Sequence, residues 1–273
     1  MLTSCHGGWG KKDKAILSRV TASIGLLFAL ASGSAYAVLQ DEIQVYDDQI
    51  NDPGQWGLQM HLNSTPSGPR YIPPQDGMVD THGYRSTAEV SYGLTPTLEA
   101  GLYLPVVHGY YDGTQFAGPR VRLKWIPQKA PDQGGVFYGL NVEVSDIKPI
   151  YEPTQQMVEL RSIIGYKDEK WLWDVNPTLD YNLRPGYRQG GPVFSPQFKV
   201  GRTILPGLMG GFEYYPVIGT LNGLYPYYQQ NNVLFAALDV NMKPWVINFG
   251  VGKGLSQAAD GWTIKAIIDI PLD

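Results

Sequence analysis

Residues 261–272 read GWTIKAIIDIPL, and their side chains alternate between apolar and polar. The apolar positions are Trp262, Ile264, Ala266, Ile268, Ile270 and Leu272, and the polar ones include Thr263, Lys265 and Asp269. Successive side chains of a strand point to opposite faces of its sheet, so a period of two predicts a β-strand with one apolar face.

The same alternation recurs about a dozen times between Gln55 and the C-terminus. The links between these segments alternate in length. Short links, such as 93–96, lie between long ones, such as 64–83, 105–118 and 218–232. Bacterial outer-membrane barrels combine an even strand number with short turns at one end and long loops at the other. Residues 55–273 are therefore predicted to form an all-β fold, a transmembrane antiparallel up-and-down β-barrel of about 12 strands.

A soluble β-sandwich or lipocalin-like barrel also alternates, but it directs its apolar face inward and its charges outward. Here the polar faces carry balanced charges among small uncharged residues, and the apolar faces end in aromatic residues, as membrane-interface girdles do. These aromatic residues are Trp56, Tyr92, Trp125, Tyr166, Trp171, Trp245 and Trp262. The pattern favours the membrane barrel.

The first 37 residues have the parts of a secretory signal, namely a basic region, an apolar run and small residues before a cleavage point. These parts are Lys11, Lys12, Lys14 and Arg19, then residues 24–31, then residues 35–37. A retained transmembrane helix is the weaker alternative, because the run is much shorter than the roughly 20 residues that span a bilayer. Cleavage after Ala37 would remove Cys5, the single cysteine. The predicted location is the outer membrane of a Gram-negative bacterium.

An acidic stretch, residues 38–54, lies between the signal and the barrel. Its acids are Asp41, Glu42, Asp47, Asp48 and Asp52. Such a density of charge predicts a solvated lead-in to the barrel. The alternative is a segment that binds in the lumen or at its rim.

Composition excludes several classes of function. The formal net charge of -4 leaves no basic surplus for nucleic acid, and one cysteine cannot build a disulfide scaffold or a cysteine zinc site. His61, His82 and His108 have no metal-ligand spacing, so no metal, cofactor or catalytic residue is predicted and the chain is not expected to be an enzyme. A lipid-modifying hydrolase is the remaining enzymatic alternative, but strand parity turns His61 toward the lumen and no serine is tied to it by local sequence.

The polar faces of the predicted strands carry the residues expected to line the lumen. They are Glu89, Glu99, Arg120, Arg122, Lys124, Glu143, Glu159, Arg161, Asp174, Asp180, Lys199, Glu213, Asp239 and Lys265. Arg120, Arg122 and Lys124 share one face of one strand, and Glu99 and Glu143 on the flanking strands are predicted to pair with them. Such pairs could close the lumen as a salt-bridge ladder or orient a passing solute, and the sequence leaves both alternatives open.

Residues 92–105, YGLTPTLEAGLYLP, resemble the strand-turn-strand repeat of the outer-membrane barrel family named for the meta-pathway of phenol degradation. Residues 165–168 and 205–212 are similar to the same pattern. The resemblance implies a channel or passive transporter for small solutes, aromatic and hydrophobic ones included. The expected partners are outer-membrane lipid and lipopolysaccharide, the barrel assembly machinery and a small-molecule solute. A structural or adhesive surface barrel without transport is the second alternative.

Overall fold

The computed structural model describes residues 42–70, 83–109, 113–152, 154–188, 190–242 and 245–272. Twelve antiparallel strands form the wall of the barrel, and three of them consist of two segments each. They are β1 (Trp56–Pro69), β2 (Tyr84–Thr95), β3 (Leu98–Gly109), β4 (Gly113–Phe116 and Arg120–Gln128), β5 (Gly135–Asp146), β6 (Gln156–Lys167), β7 (Trp171–Asn176 and Thr178–Asn182), β8 (Val193–Phe194 and Gln197–Leu205), β9 (Leu208–Val217), β10 (Asn231–Met242), β11 (Trp245–Gly254) and β12 (Asp260–Leu272). Pro119, Pro177 and Pro196 lie at the three interruptions, where a missing N–H breaks the ladder.

The sheet closes on itself. Strand β12 pairs with β1 from Trp56 opposite Leu272 to Pro69 opposite Asp260. Closure removes the sheet edges, whose unpaired backbone groups lipid could not satisfy. The predicted fold class, an all-β antiparallel barrel of twelve strands, is confirmed.

The strands run further than the alternation predicts at the end of the barrel that carries the long links, called here the long-loop end. Strand β3 continues to Gly109, and Gly113–Phe116 pairs back onto it with Phe116 opposite Val106. The predicted loop over 105–118 is thus largely sheet. The predicted loop over 218–232 contains a small hairpin, Gly219–Thr220 with Gly223–Leu224, and a short 3-10 turn, Tyr227–Gln229. Among the described residues, no helix is both long and apolar enough to cross a bilayer.

The two faces of the wall have opposite polarity. On β4, Val121, Leu123 and Trp125 are about half exposed, at 50%, 50% and 49%, whereas Arg122 and Lys124 between them are buried. An apolar outer face with charges inside is the reverse of a soluble barrel, and it suits a wall surrounded by lipid.

Several inward-facing glycines make room for a long side chain on the next strand. Gly165 lies opposite Phe137, and Gly252 lies opposite Phe235. A Cβ atom would lie 2.2 Å from Phe137 Cζ at Gly165 and 2.5 Å from Phe235 Cζ at Gly252. The two phenylalanine rings therefore lie directly over the glycines of the neighbouring strands, which is possible because glycine has no side chain.

This packing predicts that Gly165→Ala destabilises the barrel by about 1–3 kcal/mol, because the new methyl group must displace a buried ring. The matched control is Gly223→Ala, where nothing lies within 4 Å of the added Cβ. Heating folded protein in detergent and following the shift of its electrophoretic band measures both variants. Equal transition temperatures for the two variants would contradict the packing argument.

Candidate functional site

The N-terminal segment, residues 42–55, lies inside the barrel. Ile43, Val45 and Tyr46 are only 2%, 6% and 2% exposed. Ile43 and Val45 pack in one cluster with Tyr215, Val233, Phe235 and Ala259, whereas Tyr46 packs with Ile126, Phe137, Ile163 and Leu172. The prediction of a solvated lead-in is wrong for this part of the acidic stretch, because apolar side chains between the acids bind inward-facing residues of the wall. The alternative of a segment in the lumen matches the structure.

Long cationic side chains of the wall donate to the backbone of the segment. Lys265 Nζ donates to the Ile43 carbonyl at 2.8 Å, and Arg161 Nη1 donates to the Gln44 carbonyl at 3.1 Å. Lys124 Nζ donates to the Gln49 carbonyl at 2.7 Å. These bonds satisfy backbone groups that would otherwise be buried without partners, and they depend on the backbone of the segment rather than on its side chains.

Two further contacts fix the middle of the segment. The Tyr46 N–H donates to Asn176 Oδ1 at 2.6 Å, and Asn176 Nδ2 donates to the Tyr46 carbonyl at 3.0 Å. The Asn51 N–H donates to Glu99 Oε2 at 2.6 Å. These hydrogen bonds join the segment to β3, β4, β6, β7 and β12.

The segment approaches β1 at the end of the barrel that carries the short turns, called here the short-turn end. The Gly54 N–H donates to the Gly93 carbonyl at 2.8 Å, and the Gly93 N–H donates to the Gln55 carbonyl at 3.0 Å. A Cβ atom at Gly93 would lie 2.1 Å from the Asp52 carbonyl oxygen, so only glycine permits this approach. Nearby, Asp48 forms an ion pair with Lys167 and accepts from the Ala130 N–H at 2.8 Å.

The Tyr46 side chain occupies a pocket formed by charged groups of the wall, which we call the ring site. Its ring centroid lies 4.5 Å from Arg161 Cζ, 4.8 Å from Lys124 Nζ and 5.6 Å from Arg122 Cζ. Its hydroxyl donates to Glu143 Oε1 at 3.1 Å and contacts the Tyr103 hydroxyl. Cations attract the faces of an aromatic ring, and the carboxylate accepts its hydroxyl proton.

The charges on β2 to β6 form a paired network. Arg122 Nη2 lies 2.5 Å from Glu89 Oε1 and 2.7 Å from Glu99 Oε1. Arg120 pairs with Glu143 at 3.1 Å. Of the three cations predicted to pair with Glu99 and Glu143, Arg122 pairs with Glu99 and Arg120 pairs with Glu143. Lys124, in contrast, bonds the Gln49 carbonyl of the segment.

Two additional contacts extend this network. Arg161 pairs with Glu159 at 2.7 Å on its own strand, and His61 Nε2 lies 3.2 Å from Glu89 Oε2 with both side chains buried. Asp174 is buried and accepts from Asn176 Nδ2 at 3.1 Å, and half-buried Asp180 accepts from Ser195 Oγ at 3.4 Å.

A second charged cluster lies across the barrel. Lys199 lies 3.3 Å from Glu213 Oε1 and 2.9 Å from Asp239 Oδ2, and Lys265 forms an ion pair with Glu213. Asn248 Nδ2 donates to Asp239 at 2.7 Å and to Glu213 at 3.1 Å. Of the charged residues that strand parity assigned to the lumen, Asp180, Lys199 and Asp239 are partly buried and the others are buried.

A cavity of about 1000 Å³ lies between the N-terminal segment and the second cluster. It reaches the short-turn end, where 56–59 and 207–209 line it, and its charged lining includes Asp47, Lys199 and Asp269. At the long-loop end, the connection after β9 bonds to the connection after β11. Ser256 Oγ donates to the Gln230 carbonyl at 2.5 Å, and the Ala258 N–H donates to the Tyr228 carbonyl at 3.1 Å.

Within the described ranges, no group of three or more His, Cys, Asp or Glu side chains is arranged to hold a metal ion. His61 is fully buried, and His108 stacks on Tyr84 with ring centroids 4.6 Å apart. His82 lies outside the described residues, as do the predicted signal, residues 1–37, and the first residues of the acidic stretch.

No family model matches the chain, and no curated protein sequence matches it. Among solved structures, an outer membrane channel from Pseudomonas putida F1 is similar with a TM-score of 0.54 and 13% identity, over 85% of this chain and 100% of that one. The fold is that of an outer-membrane barrel. Outer membrane phospholipase A from Escherichia coli matches over 89% of this chain and 99% of its own with 10% identity, at a TM-score of 0.41. LpxR from Salmonella typhimurium matches over 79% of this chain and 100% of its own with 9% identity, at a TM-score of 0.42. The last two scores are too low to support an argument about function.

The paired network predicts that Arg122→Met lowers the free energy of unfolding by about 3–5 kcal/mol, because it leaves Glu89 and Glu99 buried without their partner. Arg202→Met is the matched control, since Arg202 is exposed and lies over the Trp171 ring at 5.3 Å. That variant should lose no more than about 1 kcal/mol. Urea unfolding of both variants in the same detergent gives the comparison. Equal losses in the two variants would show that the buried pairs do not stabilise the wall.

Proposed function

We propose that this protein is an outer-membrane channel or passive transporter for small solutes, and that the N-terminal segment closes it. The observation that carries the proposal is the cavity of about 1000 Å³, which reaches the short-turn end and is bounded on one side by that segment. The described contacts of the segment with the wall are hydrogen bonds, ion pairs and apolar packing. Such contacts can be exchanged for water without breaking a covalent bond or a strand.

The charge arrangement supports a segment that moves. Lys124, Arg161 and Lys265 donate to its carbonyls, and water can replace a carbonyl oxygen as their acceptor. Arg122 and Arg120 keep their carboxylate partners on the wall whether the segment is present or absent. Withdrawal of the segment would therefore leave a hydrated, charged passage within an intact barrel.

The resemblance to the phenol-degradation family extends the proposal to aromatic and hydrophobic solutes. Apolar residues of the wall beside the segment, including Phe137 and Ile163, offer such solutes contacts. Removal of the signal after Ala37, insertion by the assembly machinery and contact with lipopolysaccharide belong to the same proposal. The mature chain would then begin a few residues before the segment.

A lipid-modifying hydrolase is the less favoured alternative. His61, its candidate residue, is 0% exposed and bonds Glu89 inside the wall, away from lipid on the outer face. A structural or adhesive barrel remains the alternative to transport, and conductance distinguishes the two.

Deleting residues 38–50 should raise the single-channel conductance of refolded protein several-fold, because the barrier beside the cavity is removed. Asp48→Ala, which keeps the segment but removes its contacts to Lys167 and Ala130, should produce frequent transient openings. Asp52→Ala is the control, since it removes the same charge from an exposed position of the same segment. Silent bilayers with all three folded variants would favour the structural barrel.

A further inference from the structure

Tyr46 belongs to the N-terminal segment, yet the wall holds its side chain as it would hold a separate small molecule. The ring is 2% exposed, and three cationic groups lie within 5.6 Å of its centroid. Its hydroxyl meets a carboxylate and a second phenol. Both the aromatic ring and its hydroxyl thus have matching groups on the wall.

Most of the ring site is fixed by contacts that do not involve Tyr46. Glu143 accepts from Arg120 Nη1 at 3.1 Å and from Asn141 Nδ2 at 2.8 Å. Arg122 is held by Glu89 and Glu99, and Arg161 by Glu159. A site that is organised before its ligand arrives loses little entropy on binding. Glu143, Arg122 and Arg161 would therefore keep these partners when the segment leaves, whereas Lys124 would exchange the Gln49 carbonyl for water.

We infer that the ring site is a binding site for a solute that carries a neutral hydroxylated aromatic ring, and that Tyr46 occupies it as an internal ligand. The inference rests on the proposed function, because only a barrel whose segment moves can admit such a solute. Cations beside the ring select aromatic over aliphatic solutes, and the Glu143 carboxylate selects a ring with a hydroxyl over one without.

Occupation by Tyr46 couples solute binding to opening. A solute that binds only after Tyr46 has left favours the open state by its own binding energy. At about 100 times its dissociation constant, it raises the ratio of open to closed barrels about 100-fold. A solute of the matching class thereby opens the barrel that it passes through, and solutes without the ring do not.

The direct test uses Tyr46→Ala in lipid nanodiscs and 4-methylphenol, which is the tyrosine side chain as a free molecule. Equilibrium dialysis should show one saturable site per barrel for 4-methylphenol and at least about 10-fold weaker binding of toluene, which lacks the hydroxyl. Tyr138→Ala is the control, because it removes a tyrosine that is 50% exposed on the outer face. With Tyr138→Ala, 4-methylphenol should partition into the lipid without binding to an additional saturable site. Equal binding of the two probes, or no saturable site in the folded variant, would overturn the inference.

A second measurement keeps Tyr46 in place. In the chain from Val38 onward, which has no native cysteine, Val45→Cys should react slowly with a maleimide because Val45 is buried. Addition of 4-methylphenol should raise that rate several-fold, and toluene should not. An unchanged rate with 4-methylphenol would show that it does not displace the segment, whether or not Tyr46→Ala folds.

The two proposals can fail separately. If the barrel that lacks residues 38–50 conducts but Tyr46→Ala shows no saturable 4-methylphenol binding, the channel proposal stands and the ring-site inference is wrong. Saturable binding in a barrel that never conducts would leave the ring site and remove the channel.

Discussion

Charges buried inside a barrel need partners of opposite charge or strong hydrogen-bond acceptors, and here the wall alone does not supply all of them. Arg122 and Arg120 have carboxylate partners on neighbouring strands. Lys124 instead donates to a carbonyl of the N-terminal segment, and Lys265 donates both to the segment and to Glu213. The segment thus supplies hydrogen-bond acceptors to these buried lysines, and the same lysines hold the segment in place.

Twelve strands enclose more space than their own side chains fill, since barrels of about eight strands are the ones that pack solid. The interior is divided accordingly. The segment fills one part of it, packing on Tyr215 and Phe235 as well as accepting from Lys124, and the cavity beside the segment is lined by residues from Glu99 on β3 to Lys265 on β12. Inward-facing glycines make room for some of these contacts. Gly101 on β3 allows the Arg122 side chain of β4 to cross β3 and reach Glu89 on β2. In the channel that we propose, the position of the segment would therefore determine the path for a solute.

The period-two alternation predicted the fold and the strand number, because lipid outside and polar groups inside require it on every membrane-spanning strand. Strand residues that extend beyond the bilayer need not alternate between apolar and polar, so the sheet over 105–118 was not predicted. The pairs of Arg120 and Arg122 with residues on adjacent strands were predictable from strand order. The position of the segment was not, because acids such as Asp47 and Asp48 have the same sequence pattern whether they face water or bind lysines. Ile43, Val45 and Tyr46 among those acids were the available signal.

Hydrogen exchange of the peptide that covers residues 42–50, measured by mass spectrometry in the folded barrel, tests most directly whether the segment lies inside. The account predicts that the amide of Tyr46, bonded to Asn176, exchanges orders of magnitude more slowly than in an unstructured peptide. Tyr46→Ala should keep part of that protection, since the Asn176 bonds are to its backbone. Complete exchange within seconds, with the strands of the same molecule still protected, would show that the segment is solvated and would contradict the account.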